Sequence, residues 1–188
     1  TAREFRQREW STGDAAAAGS TLRRMLTILK TMVAQIDVLE TMTPVQFLSF
    51  RSFLESSSGF QSWQFRAFEF ALGKKSRRFM DMHDEGSLER AELERAYAAP
   101  TVWDAFARLL AGKGVAVPAS VLTRDVTQPV QADAAMQAAL LGVYRDRGDL
   151  RPICELLVDL DEGIQEWRYR HVKMVERTIG FKRGTGGS

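Results

Sequence analysis

Cysteine is nearly missing from this sequence. Cys154 is the only one in 188 residues, so no intrachain disulfide can form, which argues against a stapled secreted scaffold. Histidine is scarce too, with only His83 and His171. Two imidazoles and one thiol far apart along the chain make a poor zinc ligand set. No apolar run approaches the length of about eighteen residues that a membrane helix needs. The amino end, Thr1-Ala2-Arg3-Glu4-Phe5, has neither an initiator Met nor the apolar stretch of a signal peptide. The carboxyl end stops at Gly184-Thr185-Gly186-Gly187-Ser188, so both ends read as cut or processed. Charge of one sign is not in excess: 26 Lys plus Arg against 24 Asp plus Glu leaves a net +2. With no long Lys/Arg run, a nucleic-acid interface is not expected. Neither a phosphate-binding GxxxxGK[ST] loop nor a Gly-x-Ser-x-Gly elbow occurs.

What remains is helical. At about 150 residues per domain the chain reads as one domain, residues 1–188, able to bury roughly 70% of its unfolded surface. Leu22, Met25, Leu26, Leu29, Met32, Val33, Ile36 and Leu39 recur at three-and-four spacing, which predicts a helix over 22–39 capped by Ser20 or Thr21. The Ala/Gly/Ser-rich stretch before it, Ser11–Ser20, reads as a connector or a frayed region. Thr43-Pro44-Val45-Gln46 is a helix start with a capping box, and that helix carries Phe47, Phe50, Arg51 and Leu54 on one side. Ser56–Gly59 breaks it. Further helices are predicted over about 60–72 (ended by Gly73), 88–98 (capped by Ser87), 101–111 and 131–145, with 112–129 a loop. The last is the most regular. Ile153, Leu157, Leu160, Ile164, Trp167, His171, Met174 and Thr178 step by four and three, predicting one helix over 151–179, about 42 Å long. No strand-like alternation appears, so the fold class is all-α, a helical bundle.

Few residues can carry chemistry. His83 sits in the acidic loop Met82–Gly86 and reads as solvated. Cys154 lies in an apolar segment and reads as an inert thiol, while Asp159 and Asp161 fall on different faces of a helix. His171 differs, because it fills a slot in an apolar stripe. There it is either a hydrogen-bonded core histidine or the single neutral imidazole that a haem iron takes. Arg51, beside Phe47 and Phe50, is either a snorkelling arginine or a guanidinium that grips a carboxylate with two hydrogen bonds. Gly184–Gly187 is either a linker or a lid whose amides and hydroxyl close over a polar ligand.

Three segments together are distinctive. They are Leu39–Pro44 running into Phe47-Leu48-Ser49-Phe50-Arg51, then Ser57-Ser58-Gly59-Phe60-Gln61-Ser62-Trp63-Gln64-Phe65-Arg66 ending at Glu69, then Trp167-Arg168-Tyr169-Arg170-His171 continuing to Gly184-Thr185-Gly186-Gly187-Ser188. In this order and spacing they resemble the tryptophan 2,3-dioxygenase family, haem enzymes that open the indole ring. The resemblance covers nearly the whole chain and is weakest over 11–20 and 112–147.

The resemblance implies an all-helical, cytoplasmic homotetramer with haem b as cofactor. His171 would be the proximal axial ligand. Arg51 would bind the carboxylate of L-tryptophan, and Phe47 would lie against the substrate. Thr185 would meet its amino and carboxylate groups, and Ser58 and Gly59 would line the pocket. O₂ would be the co-substrate, and N-formyl-kynurenine, the first intermediate of tryptophan catabolism, the product. The family's distal histidine comes from an N-terminal stretch that this sequence does not contain, and the segment after the glycine loop is absent as well, so no catalytic base is assigned. Two other readings stay open: a relative that adds one oxygen to a substituted tryptophan, and a non-catalytic helical module.

Overall fold

The computed structural model describes residues 14–54 and 62–180. Among these residues every regular element is helical, as the sequence predicted. In order they are α1 (Ala15–Glu40), α2 (Pro44–Phe50), a 3-10 turn (Arg51–Leu54), α3 (Trp63–Leu72), a second 3-10 turn (Arg77–Phe79), α4 (Leu88–Ala98), α5 (Val102–Gly112), α6 (Ala119–Leu122), α7 (Ala134–Asp146) and α8 (Arg151–Ile179). No helix among them is long and apolar enough to cross a membrane. The described residues divide into two compact units, one holding 14–23 and 63–156 and the other 24–54, 62 and 157–180.

The start of α1 corrects the sequence reading. Residues 15–20 are helix, not connector. Alanine is the best helix former, and Asp14 caps the run by accepting from the Ala16 and Ala17 amides at 2.9 and 3.1 Å. Ser20 and Thr21 therefore lie inside the helix, and Ala18 and Leu22 are fully buried. The loop over 112–129 also holds a helical turn, α6. Elsewhere the expected ends hold to within a few residues, and α8 spans the range its stripe predicted.

In the first unit, Phe70, Phe79, Met80, Leu93 and Ala96 form a buried cluster, with Trp63, Ala67 and Tyr97 packed around it. Gly73 ends α3 at φ 108°, a conformation only glycine adopts without strain. The Gly73 amide reaches the Phe70 carbonyl and the Lys74 amide the Glu69 carbonyl, which satisfies the last carbonyls of the helix. Arg66 and Glu69 are both buried and pair with each other, and the Arg66 guanidinium lies 4.0 Å over the Phe79 ring. The basic run 74–78 is partly turned inward: Lys75 Nζ donates to the Tyr97 and Ala99 carbonyls at the end of α4.

The other buried charge in this unit is Asp104. It closes a capping box with Thr101 at the start of α5 and takes two hydrogen bonds from Arg124, at 2.6 and 2.9 Å. Arg124 also donates to the Gln128 carbonyl, tying the 113–129 loop to α5. Burial pushes the Asp104 carboxyl up, but Arg124 and the two Thr101 donors more than reverse this, and its pKa lies below the usual value. Removing one partner of a buried pair strands the other charge. Asp104→Ala is expected to destabilise the chain by about 3 kcal/mol, measured by urea unfolding. A loss below about 1 kcal/mol would place this pair among ordinary surface bridges.

In the second unit α1 and α8 pack together. Met25, Leu29 and Ile36 of α1 and Leu160 of α8 are buried. Met32 and Leu39, which the stripe placed inward, are exposed. The buried line follows a three, four and seven spacing, narrower than the full apolar stripe. At Gly163 the helices approach so closely that an added Cβ would stand 2.7 Å from Leu29 Cδ2. Alanine is the better helix former by about 1 kcal/mol, yet overpacking a buried contact costs roughly 1–3 kcal/mol. Gly163→Ala should therefore be destabilising alone and near neutral or stabilising with Leu29→Ala. A double-mutant cycle by chemical denaturation checks this, and simple additivity would contradict it.

Candidate functional site

Phe47, Arg51 and His171 all belong to the second unit, while His83 and Cys154 belong to the first. Phe47 and Arg51 come from α2 and the turn that follows it. Thr43 starts α2 with a capping box: the Gln46 amide donates to Thr43 Oγ1, and the Thr43 amide donates to Gln46 Oε1. Pro44 occupies the first turn, where its missing N–H costs nothing. Arg51 follows the last helical residue and opens the 3-10 turn Arg51–Leu54. Four residues apart, Phe47 and Arg51 share a face. Both are half-buried, and Phe47 meets Phe50 edge to face with centroids 5.3 Å apart. A guanidinium is the group that grips a carboxylate with two charge-assisted hydrogen bonds.

His171 lies on α8. The stripe that predicted this helix is buried at Ile153 and Leu160 and half-buried from Ile164 through Trp167, His171 and Met174 to Thr178. Asp159 and Asp161 are exposed. The imidazole stacks on Trp167, one turn earlier, with ring centroids 5.2 Å apart and planes 13° from parallel. Burial disfavours the imidazolium and lowers the His171 pKa below its ordinary 6.5. At neutral pH the ring is uncharged, with a nitrogen lone pair to give. A half-buried wall of Ile164, Trp167 and Met174 carrying one neutral imidazole fits an axial haem ligand. Among the described residues no group of three or more His, Cys, Asp or Glu could hold a bare metal ion.

The outlying candidates behave as their surroundings dictate. Cys154 is buried, and burial raises its thiol pKa, so it is protonated and unreactive at neutral pH. Ser58, Gly59 and Thr185 lie outside the described residues.

Comparison with known proteins gives this arrangement a relationship. The family model described as tryptophan 2,3-dioxygenase matches residues 11–145 and 120–188. The tryptophan 2,3-dioxygenase of Herpetosiphon aurantiacus is 54% identical over 93% of this chain and 67% of its own length. That of Anaeromyxobacter sp. strain K is 52% identical over 94% of this chain and 66% of its own. That of Polaromonas sp. is 46% identical over 93% and 60%.

The chain belongs to the tryptophan 2,3-dioxygenase family.

It spans about two thirds of the length of these relatives, or somewhat less. Against the family resemblance, the structure adds three features that the sequence reading missed. Trp167 and His171 of the WR-x-RH motif form one stacked pair. Arg170 in the same motif bridges to Asp37 and Glu40 of α1. Arg66 and Glu69, at the end of the second motif, are a buried ion pair of the first unit. The four-residue spacing of Trp167 and His171 was a visible signal for the first. Two carboxylates in the last turn of α1, the unfavourable end for negative charge, were a signal for the second.

The lowered pKa of His171 has a sign that can be checked. Between that pKa and 6.5 the unfolded chain binds more protons than the folded one. The stability this contributes is therefore present in full above 6.5 and is lost as pH falls below it. Apo protein unfolded in urea should lose stability from pH 7 towards pH 5, with a shallower slope in His171→Gln. Unchanged slopes would assign the titration to other groups.

Proposed function

We propose that this chain carries the proximal haem and substrate-carboxylate portion of a tryptophan 2,3-dioxygenase, which cleaves the indole C2–C3 bond of L-tryptophan with O₂ to give N-formyl-L-kynurenine. The observation that carries the reading is the neutral imidazole of His171 on the half-buried wall of α8, in a chain of this family. His171 would hold haem b through its ring nitrogen, with Trp167 limiting the ring's rotation. The haem, when bound, supplies the oxygen chemistry that inserts both atoms of O₂ across C2–C3, breaking that bond and leaving two carbonyl groups.

The chain's own residues do the positioning. Arg51 donates two hydrogen bonds to the substrate carboxylate and fixes one end of the amino acid. Phe47, on the same face, packs against the indole. On the family resemblance, Thr185 meets the amino and carboxylate groups, Ser58 and Gly59 line the pocket, and the protein is a cytoplasmic homotetramer. A site that pairs both ends of the zwitterion rejects analogues lacking either, because its own polar groups would be left without partners. The relatives matched carry the name tryptophan 2,3-dioxygenase, which favours ring cleavage over mono-oxygenation of a substituted tryptophan.

The test is to reconstitute the intact protein with haem, reduce it, and supply O₂ and L-tryptophan. Formylkynurenine should accumulate, with a product mass two oxygen atoms above the substrate. Arg51→Ala should lower kcat/KM by roughly 10- to 100-fold, equivalent to about 1.5–3 kcal/mol for a hydrogen bond to a charged group, with the Soret band retained. His171→Ala should lose the Soret band. Equal loss of haem and activity in Arg51→Ala would make Arg51 structural. No formylkynurenine from haem-loaded protein would overturn the reading.

A further inference from the structure

The residue before His171 does something that the stripe pattern does not explain. Arg170 Nη2 donates to Asp37 Oδ1 and, at 3.0 Å, to Glu40 Oε2. Both carboxylates stand in the last turn of α1, where the helix's own carbonyl dipoles make negative charge unfavourable. One guanidinium answers both. Arg170 and Glu40 are each about three-quarters shielded from solvent (side-chain exposures 24% and 27%), while Asp37 is open at 63%. Glu40 is thus the better sheltered of the two contacts.

The position of this bridge along α8 is informative. Gly163, where α8 meets Leu29 of α1, is seven residues earlier. Seven residues are two turns, so Gly163 and Arg170 lie on nearly the same line of the helix. In the second unit α8 is therefore pinned to α1 at two points on one side: a close apolar approach below and a charged bridge above. Two such points fix the rotation of the helix about its own axis. His171 is one residue past the upper point, about 100° around the helix. Its azimuth relative to α1 follows directly from the grip of Arg170.

We propose that Arg170 is a positioning residue, which through Asp37 and Glu40 sets the rotation of α8 and so aims the His171 imidazole at the haem iron. This rests on the reading of His171 as the axial ligand. Groups that support a metal ligand typically change metal affinity by about 10- to 100-fold. An ordinary rim ion pair would leave both the affinity and the iron–imidazole bond untouched.

The experiment uses the full-length, haem-reconstituted protein. Arg170→Gln should speed haem dissociation by about tenfold and shift or broaden the iron–imidazole stretching band of the ferrous form. Asp37→Asn with Glu40→Gln should give the same change, and adding Arg170→Gln to that pair should add little. Arg170→Lys should recover part of the loss. In His171→Gly with free imidazole supplied as ligand, Arg170→Gln should have no effect, since the ligand is no longer tethered to α8. An unchanged band and haem off-rate in both Arg170→Gln and the Asp37→Asn, Glu40→Gln variant would overturn the proposal. So would the same weakening in the imidazole-rescued background. If His171→Gly without imidazole holds haem as well as the parent does, the axial-ligand reading fails first and the proposal falls with it.

Discussion

The second unit depends on how α1 and α8 touch. A 29-residue helix carrying a half-buried imidazole must be held against something, or its ring points nowhere in particular. The hold begins at Gly163, where the absence of a side chain lets Leu29 come within van der Waals reach of the α8 backbone. A methyl group there would force a side chain to move in a buried contact. Two turns along, the contact changes character from apolar to ionic, with Arg170 between Asp37 and Glu40. Apolar contact supplies most of the free energy of such packing, but it slides and rotates easily. A guanidinium bound by carboxylates three residues apart does not.

That frame sets the chemistry available to His171. Its pKa falls because the surrounding side chains remove water without offering a compensating charge. The adjacent Trp167 ring presents a flat face rather than a hydrogen-bond acceptor. An imidazole treated this way is a ligand or a neutral packing element, and is a weaker base than a free one. Arg51 is the complementary case. It opens the 3-10 turn that follows α2, four residues after Phe47. One residue offers a lone pair beside the Trp167 ring, the other a guanidinium.

The first unit shows the same physical logic applied to stability. Asp104 is buried with every hydrogen bond supplied locally by Thr101 and Arg124. Arg66 and Glu69 are buried together beneath the Phe79 ring. Lys75 donates to two carbonyls at the end of α4. The surroundings of these charged groups make them braces.

Several features were determined by the sequence itself. The four-and-three steps from Ile153 to Thr178 set the extent of α8, because a pattern repeating every 3.6 residues buries one face only as a helix. Thr43 and Ser87 marked helix starts, and Gly73 an end, because capping is local chemistry between neighbours. The family was legible for the same reason, because the strings around Phe47–Arg51, Ser57–Arg66 and Trp167–His171 are short and recognisable. Tertiary structure decided the rest. Nothing in the order of residues said that Met32 and Leu39 would face outward, that Ala18 would be core, or that Arg170 would reach back some 130 positions to Asp37 and Glu40. Burial and pairing depend on which helix lies opposite, and that partner is chosen by the folded chain as a whole.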